Sequence, residues 1–452
     1  MGRKSKREVR ADLLATVEVL HANLTSALCQ DVFSGVRGAE RQRVWTLERL
    51  AEFWTAVILR APKSLTQALE EAAGGKSGIW PQVEASPQGF FSRCQNLNWE
   101  FFRDLHEAFV DRALAKEPPS YATTCRPLLA RFTSVWVVDG SRLDAIAHRL
   151  KILWDNRSVI LPGCVTAFYD LYHGVAVKLL FNPDAAAAEL LRVEAALNGI
   201  PKGTLLLGDR LYSSVRFFQE LTQRELYGVF RRSKRLKLHK VKRLSKRPCA
   251  GGVLSDTLID AGCGVGTPPQ RLRRIRWQCG QKVREVLTNV LDPALLSAEE
   301  AISLYPKRWT VERLFYDLKE VLNLHQFYAA NPNAIAMQVY AAAIVHTAMR
   351  IAQARIARQA GIKPERISPE KLFPRVAAAS ISLAQAELIF LATCQANPRV
   401  KLRRPSWRTL PFAYALLESL LVEPRKGVRR QRRFCPARRH WKSLAHVKGA
   451  LN

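Results

Sequence analysis

The order of apolar runs between residues 134 and 230 limits the fold of this chain more than any other feature. Ser134-Val-Trp-Val-Val138 is short, apolar and β-branched, as a buried strand should be. Cys164–Tyr169 and Val175–Phe181 repeat the pattern, divided by a Tyr172-His-Gly174 turn. Helix and strand then alternate. An Ala-rich helix is expected over Asp184–Leu197, a strand over Thr204–Leu207, a helix over Ser213–Arg224 and a strand over Tyr227–Phe230. A further strand at Glu285–Leu291 precedes two helices. Three antiparallel strands followed by alternating helices and strands bury their apolar faces as a mixed sheet covered by helices. The expected class is α/β.

Two of these strands run into an aspartate: Asp139-Gly140-Ser141 after the first, and Asp209-Arg210-Leu-Tyr212 after Thr204–Leu207. Such folds place chemistry on the loops leaving strand ends, although an Asp there often only caps a turn. A third carboxylate, Glu312, lies in Tyr305-Pro-Lys-Arg308-Trp309-Thr-Val-Glu312-Arg-Leu-Phe-Tyr-Asp-Leu-Lys319. At 3.6 residues per turn, positions 308, 312 and 319 share a helix face within about a 60° arc. Pro306 suits a first helical position, which puts Tyr305 at the helix mouth. The plain alternative is a solvated face with i,i+4 charge support. Trp309 either faces the core, the favoured reading, or stacks on a base. Asp144, Asp170 and Asp317 are the competing carboxylates, and Asp317, five residues past Glu312, should point to another face. Three carboxylates from distant segments suit hard divalent cations, which prefer oxygen ligands. Arg308 and Lys319 would then hold phosphate oxygens, and Tyr305 would hydrogen-bond one.

Charge supplies the partner. Seventy Lys and Arg against 39 Asp and Glu give a net charge of +31. Residues 231–284 carry 16 Lys/Arg and residues 401–442 carry 13, and together these segments hold 25 of the net charges. Two separate basic segments in one chain point to nucleic acid. Within the first, Arg271-Leu-Arg273-Arg274-Ile-Arg276-Trp277 and the Cys279-Gly-Gln281 turn suggest a hairpin with a cationic face. Trp277 either packs in that hairpin or stacks on an unpaired base. The stretch from Pro424 to Lys442 has too little apolar surface to fold alone.

Residues 7–116 read as helical, with Thr46 and Ser64 as N-caps and Phe90, Phe91, Trp99, Phe101 and Phe102 as core. Lys76-Ser77 is not a phosphate-binding loop, because the preceding spacing and strand are wrong. Helices are expected over 334–358 and 381–395. The nine Cys form no C-x-x-C pair, which suits a reducing compartment with free thiols. Spacings of 14 and 16 among Cys249, Cys263 and Cys279, with His239 nearby, argue against zinc. No apolar segment follows Met1–Arg7 as a signal peptide would require. The longest apolar run, Ala341–Val345, is too short for a bilayer, so no membrane partner is expected.

The Tyr305, Arg308, Glu312, Lys319 set resembles the Y-R-E-K signature of bacterial insertion-sequence transposases of the DDE type. The motifs at Asp139-Gly140-Ser141 and Asp209-Arg210-Leu-Tyr212 are similar to the same family's, over roughly residues 130–330. Leu211 departs from the family, many members of which carry Gly there. The resemblance implies a ribonuclease H-like mixed sheet with flanking helices, interrupted by a β-rich insertion that touches DNA. It implies Asp139, Asp209 and Glu312 as catalytic metal ligands for two Mg²⁺ ions, with Mn²⁺ as a substitute. It also implies cut-and-paste transposition, commonly through a hairpinned DNA end. Double-stranded DNA would be the partner, as terminal inverted repeats and as target, with a homodimer on DNA in the bacterial cytoplasm beside the nucleoid. Arg210, Arg273, Arg274, Arg276 and Trp277 would be DNA contacts, and Tyr212 would either contact DNA or pack. The partition expected is 1–125 helical and binding DNA ends, 126–231 first core part, 232–284 basic insertion, 285–330 second core part, and 331–452 helical with a basic tail. Two other readings are open: a DNA-binding derivative without catalysis, and a structure-specific nuclease that cuts but does not join.

Overall fold

The computed structural model describes residues 10–37, 41–74, 80, 81, 83, 86–143, 163–185, 187–249, 251–262, 268–329, 331–396 and 410–422. Lys76, Ser77, Asp144, Cys263 and the basic tail from Pro424 lie outside the described residues.

Eleven strands occur among these residues: β1 (Arg10–Asp12), β2 (Val135–Arg142), β3 (Cys164–Asp170), β4 (Val175–Asn182), β5 (Leu205–Gly208), β6 (Tyr227–Arg231), β7 (Leu238–Cys249), β8 (Gly252–Ala261), β9 (Gln270–Cys279), β10 (Lys282–Thr288) and β11 (Tyr414–Leu416). Nine of them form one sheet in the order β4-β3-β2-β5-β6-β10-β9-β8-β7. β2, β3 and β4 are antiparallel neighbours, and β5 and β6 run parallel to β2. Three antiparallel strands followed by two parallel ones is the ribonuclease H-like arrangement. Parallel strands need both faces covered, and these strands are apolar on both sides. Val135, Val137, Leu205 and Leu207 pack into one core with the helices. Trp136, Val138, Leu206 and Phe230 pack into a second, against Phe217, Phe218 and Leu221 of the helix Val215–Gln223.

The N-terminal helices lie on the first face. Thr46 and Ser64 cap two of them, accepting from Arg49 N and Gln67 N. Phe90, Phe101 and Phe102 are fully buried, while Phe91 reaches the surface. Two long helices follow the sheet, Pro332–Gln359 and Pro369–Ala396, the second starting twelve residues before its expected position. Both are long and apolar enough to cross a membrane by length and composition, contrary to the expectation from the Ala341–Val345 run. The apolar window of Pro332–Gln359 is wholly buried inside the protein, which marks a core helix. Tyr340 donates to Leu179 O and Arg350 to Gly174 O, pinning this helix to β4 and its hairpin turn.

The basic interval is not a lone hairpin. Two hairpins, β7–β8 and β9–β10, extend the core sheet, because β10 pairs antiparallel with β6. The strand expected at 285–291 therefore starts at Lys282 and stops at Thr288. The sequence also hid the short β1–β11 pairing, which joins the two ends of the described chain.

Candidate active site

Asp139 and Asp209 stand side by side because of strand register. Val137↔Leu207 is the last pair between β2 and β5, and each aspartate lies two residues further. β2 does not end at Asp139, as the sequence suggested. It continues to Arg142 along β3, so the aspartate sits where only its parallel neighbour has stopped. Asp209 follows β5 and caps the short 3₁₀ turn Arg210–Tyr212 through Leu211 N.

The third carboxylate arrives on a helical run of changing pitch. The helix Ala298–Leu304 passes straight into a 3₁₀ stretch, Tyr305–Trp309, then an α-turn, Thr310–Tyr316, then a π-turn, Asp317–Val321. Tyr305 is thus at a junction inside the run and not at its mouth. Short π segments recur at functional sites because they re-aim side chains. Arg308 is nearly buried, with Nη1 at 2.8 Å from Asp139 Oδ2 and Nη2 at 3.5 Å from Glu312 Oε1. One guanidinium therefore ties Glu312 to the strand-borne Asp139. Lys319 Nζ reaches Ser141 Oγ at 2.9 Å and Arg142 O at 2.6 Å, at the far end of β2. Arg308 also lies 4.5 Å over the Trp309 ring. Trp309 is 56% exposed, not core-facing as expected.

Burial pushes the Asp139 carboxyl above its ordinary range; Arg308 works against this and Asp209 adds to it. Burial likewise raises the Tyr305 phenol, opposed by Arg308 and Arg231 nearby. The competing carboxylates are structural. Asp170 accepts from Tyr172 N, His173 N and Trp136 Nε1. Asp317 is buried against Arg313 and His346, on another face from Glu312 as expected.

Several expected DNA contacts do not face outwards. Arg273 is fully buried, paired with Asp256 and donating to Val290 O and Leu296 O, so it holds the β8–β9 pair to the chain after β10. Tyr212 is fully buried, and its hydroxyl donates to Glu189. Trp277 packs in its hairpin, donating to Cys249 O at 3.0 Å with Arg284 over its ring. Arg274 is half-buried and pairs with Glu285 at 2.6 Å; Arg276 is 3.9 Å from the same carboxylate. Arg210 is exposed beside Asp209. The sequence reading missed Glu189, a half-buried carboxylate beside Asp139 and Asp209. No local signal marks it, since a Glu opening an Ala-rich helix is an ordinary first-turn residue.

Among the described residues, no three His, Cys, Asp or Glu side chains converge tightly enough to hold a metal ion. Arg308 lies between two of the carboxylates that would do so. The donor set still fits a hard divalent cation: every candidate ligand is a carboxylate oxygen, and the buried acidic charge is only partly offset by Arg308.

The mixed sheet thus brings Asp139 and Asp209 together at the ends of adjacent parallel strands, with Glu312 brought in from a following helix. Residues 164–348 match the transposase DDE domain. The match takes in Asp209, Arg308 and Glu312, whereas Asp139 lies upstream of it. The chain is 25% identical over 197 residues to a Geobacillus stearothermophilus protein named as the "probable transposase for insertion sequence element IS5377", covering 40% of this chain and 50% of that one. It is 26% identical over 194 residues to a Sinorhizobium fredii protein named as a transposase, y4zB, covering 40% and 53%. The chain thus matches about half the length of these curated relatives. A cryo-EM structure of the piggyBac transposase synaptic complex with hairpin DNA aligns over 91% of this chain and 90% of that one, at 9% identity and a TM-score of 0.42.

Proposed function

We propose that this chain is a DNA transposase that hydrolyses a phosphodiester at the ends of an insertion sequence and joins the freed 3′ end to target DNA. One observation carries the reading: Asp139 on β2 and Asp209 just past β5 at matched positions, with Arg308 tying Glu312 to the first. Asp139, Asp209 and Glu312 would hold two Mg²⁺ ions, or Mn²⁺ in their place, which activate the attacking oxygen and stabilise the leaving one. Arg308 holds Glu312 against Asp139 and keeps their charges from driving them apart. Lys319 is placed over the end of β2, where a phosphate near Ser141 would meet its ammonium. Tyr305 adds a hydroxyl beside Arg308.

DNA would lie across this end of the sheet and along β7, where Lys240, Lys242, Arg243 and Lys246 are exposed. Arg210, Arg274 and Arg276 are the remaining candidates from the sequence for contact with DNA, and the exposed Trp309 joins them. The helical N-terminal part would bind transposon ends, and two ends brought together call for a homodimer on DNA. The working compartment would be the bacterial cytoplasm beside the nucleoid.

The test uses purified protein, Mg²⁺ or Mn²⁺, and DNA ending in the terminal repeats that flank the gene. Cleavage with joining supports the transposase. Cleavage without joining would mean a nuclease, and metal-independent binding alone would mean a DNA-binding derivative.

A further inference from the structure

We propose that Glu189 is a positioning residue of this active site, fixing the spacing of Asp139 and Asp209 by bracing Gly140 on one side and the Tyr212 hydroxyl on the other. The proposal rests on the reading of Asp139, Asp209 and Glu312 as the reactive centre.

Glu189 opens the helix Glu189–Ala196, where the helix dipole favours a carboxylate. On one side it accepts the Tyr212 hydroxyl proton in a hydrogen bond. Tyr212 is fully buried, with its ring 5.6 Å from Phe217 and 5.9 Å from Phe230, so the direction of its hydroxyl is fixed by packing. Tyr212 also ends the 3₁₀ turn that Asp209 caps. On the other side, the Glu189 carboxylate fills the space that a Cβ on residue 140 would need. Gly140 follows Asp139 directly, and its N–H donates to Asp139 Oδ1 at 3.0 Å. One side chain therefore touches the chain neighbours of both aspartates, Gly140 beside Asp139 and Tyr212 at the end of the turn that Asp209 caps. Burial pushes Glu189 above the usual carboxylate range, the Tyr212 hydrogen bond opposes this, and Asp139 and Asp209 add to it. Such crowding of like charge is costly unless the arrangement is held by its neighbours. Groups that orient metal ligands without touching the metal typically change affinity by about 10–100-fold when removed.

The test is Mn²⁺ binding by the DNA-free full chain, followed by electron paramagnetic resonance, with thermal melting as the check on folding. Asp139→Asn sets the scale for loss of the site. Glu189→Ala and Tyr212→Phe should each weaken Mn²⁺ binding about 10-fold or more. Glu189→Gln keeps an oxygen to accept from Tyr212 and should recover most of the affinity. Wild-type Mn²⁺ binding in a folded Glu189→Ala protein would overturn the proposal. A Gln variant as weak as the Ala variant would also overturn it, because the charge and not the brace would then matter. Should Glu189→Ala fail to fold, Tyr212→Phe against Glu189→Gln makes the same decision. Failure of the wild type to cut end DNA would remove the transposase reading, and the Mn²⁺ comparison would still decide the role of Glu189.

Discussion

The two halves of the nine-stranded sheet share one hydrogen-bonded ladder and differ in almost everything else. In β2, β3 and β5 nearly every residue up to Asp139 is buried, because helices cover both faces. In β7, at the opposite edge, most side chains are exposed and many are cationic. The difference teaches where rigidity and charge are separately needed. The carboxylates proposed as the reactive set, which would have to be held within fractions of an ångström, stand at the strands with the most packing around them. The cations proposed to meet a phosphate backbone stand on the strand with the least packing.

Arg273 tests the comparison most severely, since it is a cation of the basic half that behaves like the buried half. Removing one partner of a buried ion pair costs about 3–5 kcal/mol. Arg273→Ala should therefore lower stability by that order in urea unfolding, with Asp256 left unpaired. A loss of under ~1 kcal/mol, together with weaker DNA binding, would restore Arg273 to the DNA-facing set.

Arg308→Lys comes next. An ammonium cannot span Asp139 and Glu312 as the guanidinium fork does. Single-turnover cleavage should fall by about 10²–10³, the range seen when one charge-stabilising donor is removed. An unchanged rate would make residue 308 a surface charge.

A smaller effect concerns the helical layer that supports the buried half. His106 is fully buried, has no hydrogen-bond partner among the described residues, and is pushed down to about 3, by burial first and then by His346 and Lys178. In the unfolded chain it titrates near its ordinary 6.5. Below about pH 6.5 the unfolded state therefore takes up a proton that the folded state refuses until about pH 3. Stability should fall by about 1.4 kcal/mol per pH unit in that window and be unaffected by this group above it. His106→Leu should remove that slope in unfolding curves recorded from pH 7 to pH 4; an unchanged slope would assign the acid sensitivity elsewhere.

The smallest change in fold stability is expected on β7. Lys240→Ala, Lys242→Ala and Arg243→Ala should each leave stability within about 0.5 kcal/mol. Each phosphate that a variant no longer neutralises should make the salt slope of log K on duplex DNA shallower by about 0.9. Binding measured across a salt series checks this, and an unaltered slope in the triple variant would take DNA away from this edge.

The same division explains what was legible in the sequence. Asp139 and Asp209 stood out as candidates because each follows a short apolar run, a pattern contained within a few residues. Glu312 and its companions stood out as candidates because regular helical spacing would put them on one face, although the run changes pitch between Arg308 and Lys319. Arg273 was misread because its partner, Asp256, lies 17 residues away on β8, and only the β8–β9 register brings the two together. Tyr212 and Glu189 were hidden for the same reason, being joined through tertiary packing across 23 residues. Trp309 misled because an aromatic inside a helix usually packs inwards, whereas the 3₁₀ stretch turns this one out over Arg308. Local periodicity identified the strands; pairing across the sheet decided which charges are structural.

The central claim is that Asp139, Asp209 and Glu312 act as one reactive set while the basic edge binds DNA independently. Asp139→Asn, Asp209→Asn and Glu312→Gln should be assayed side by side for single-turnover cleavage and for end-DNA binding. Each should lose cleavage by well over ~10-fold in Mg²⁺ and keep near wild-type binding. Near wild-type cleavage in any one of the three would contradict the account at that residue.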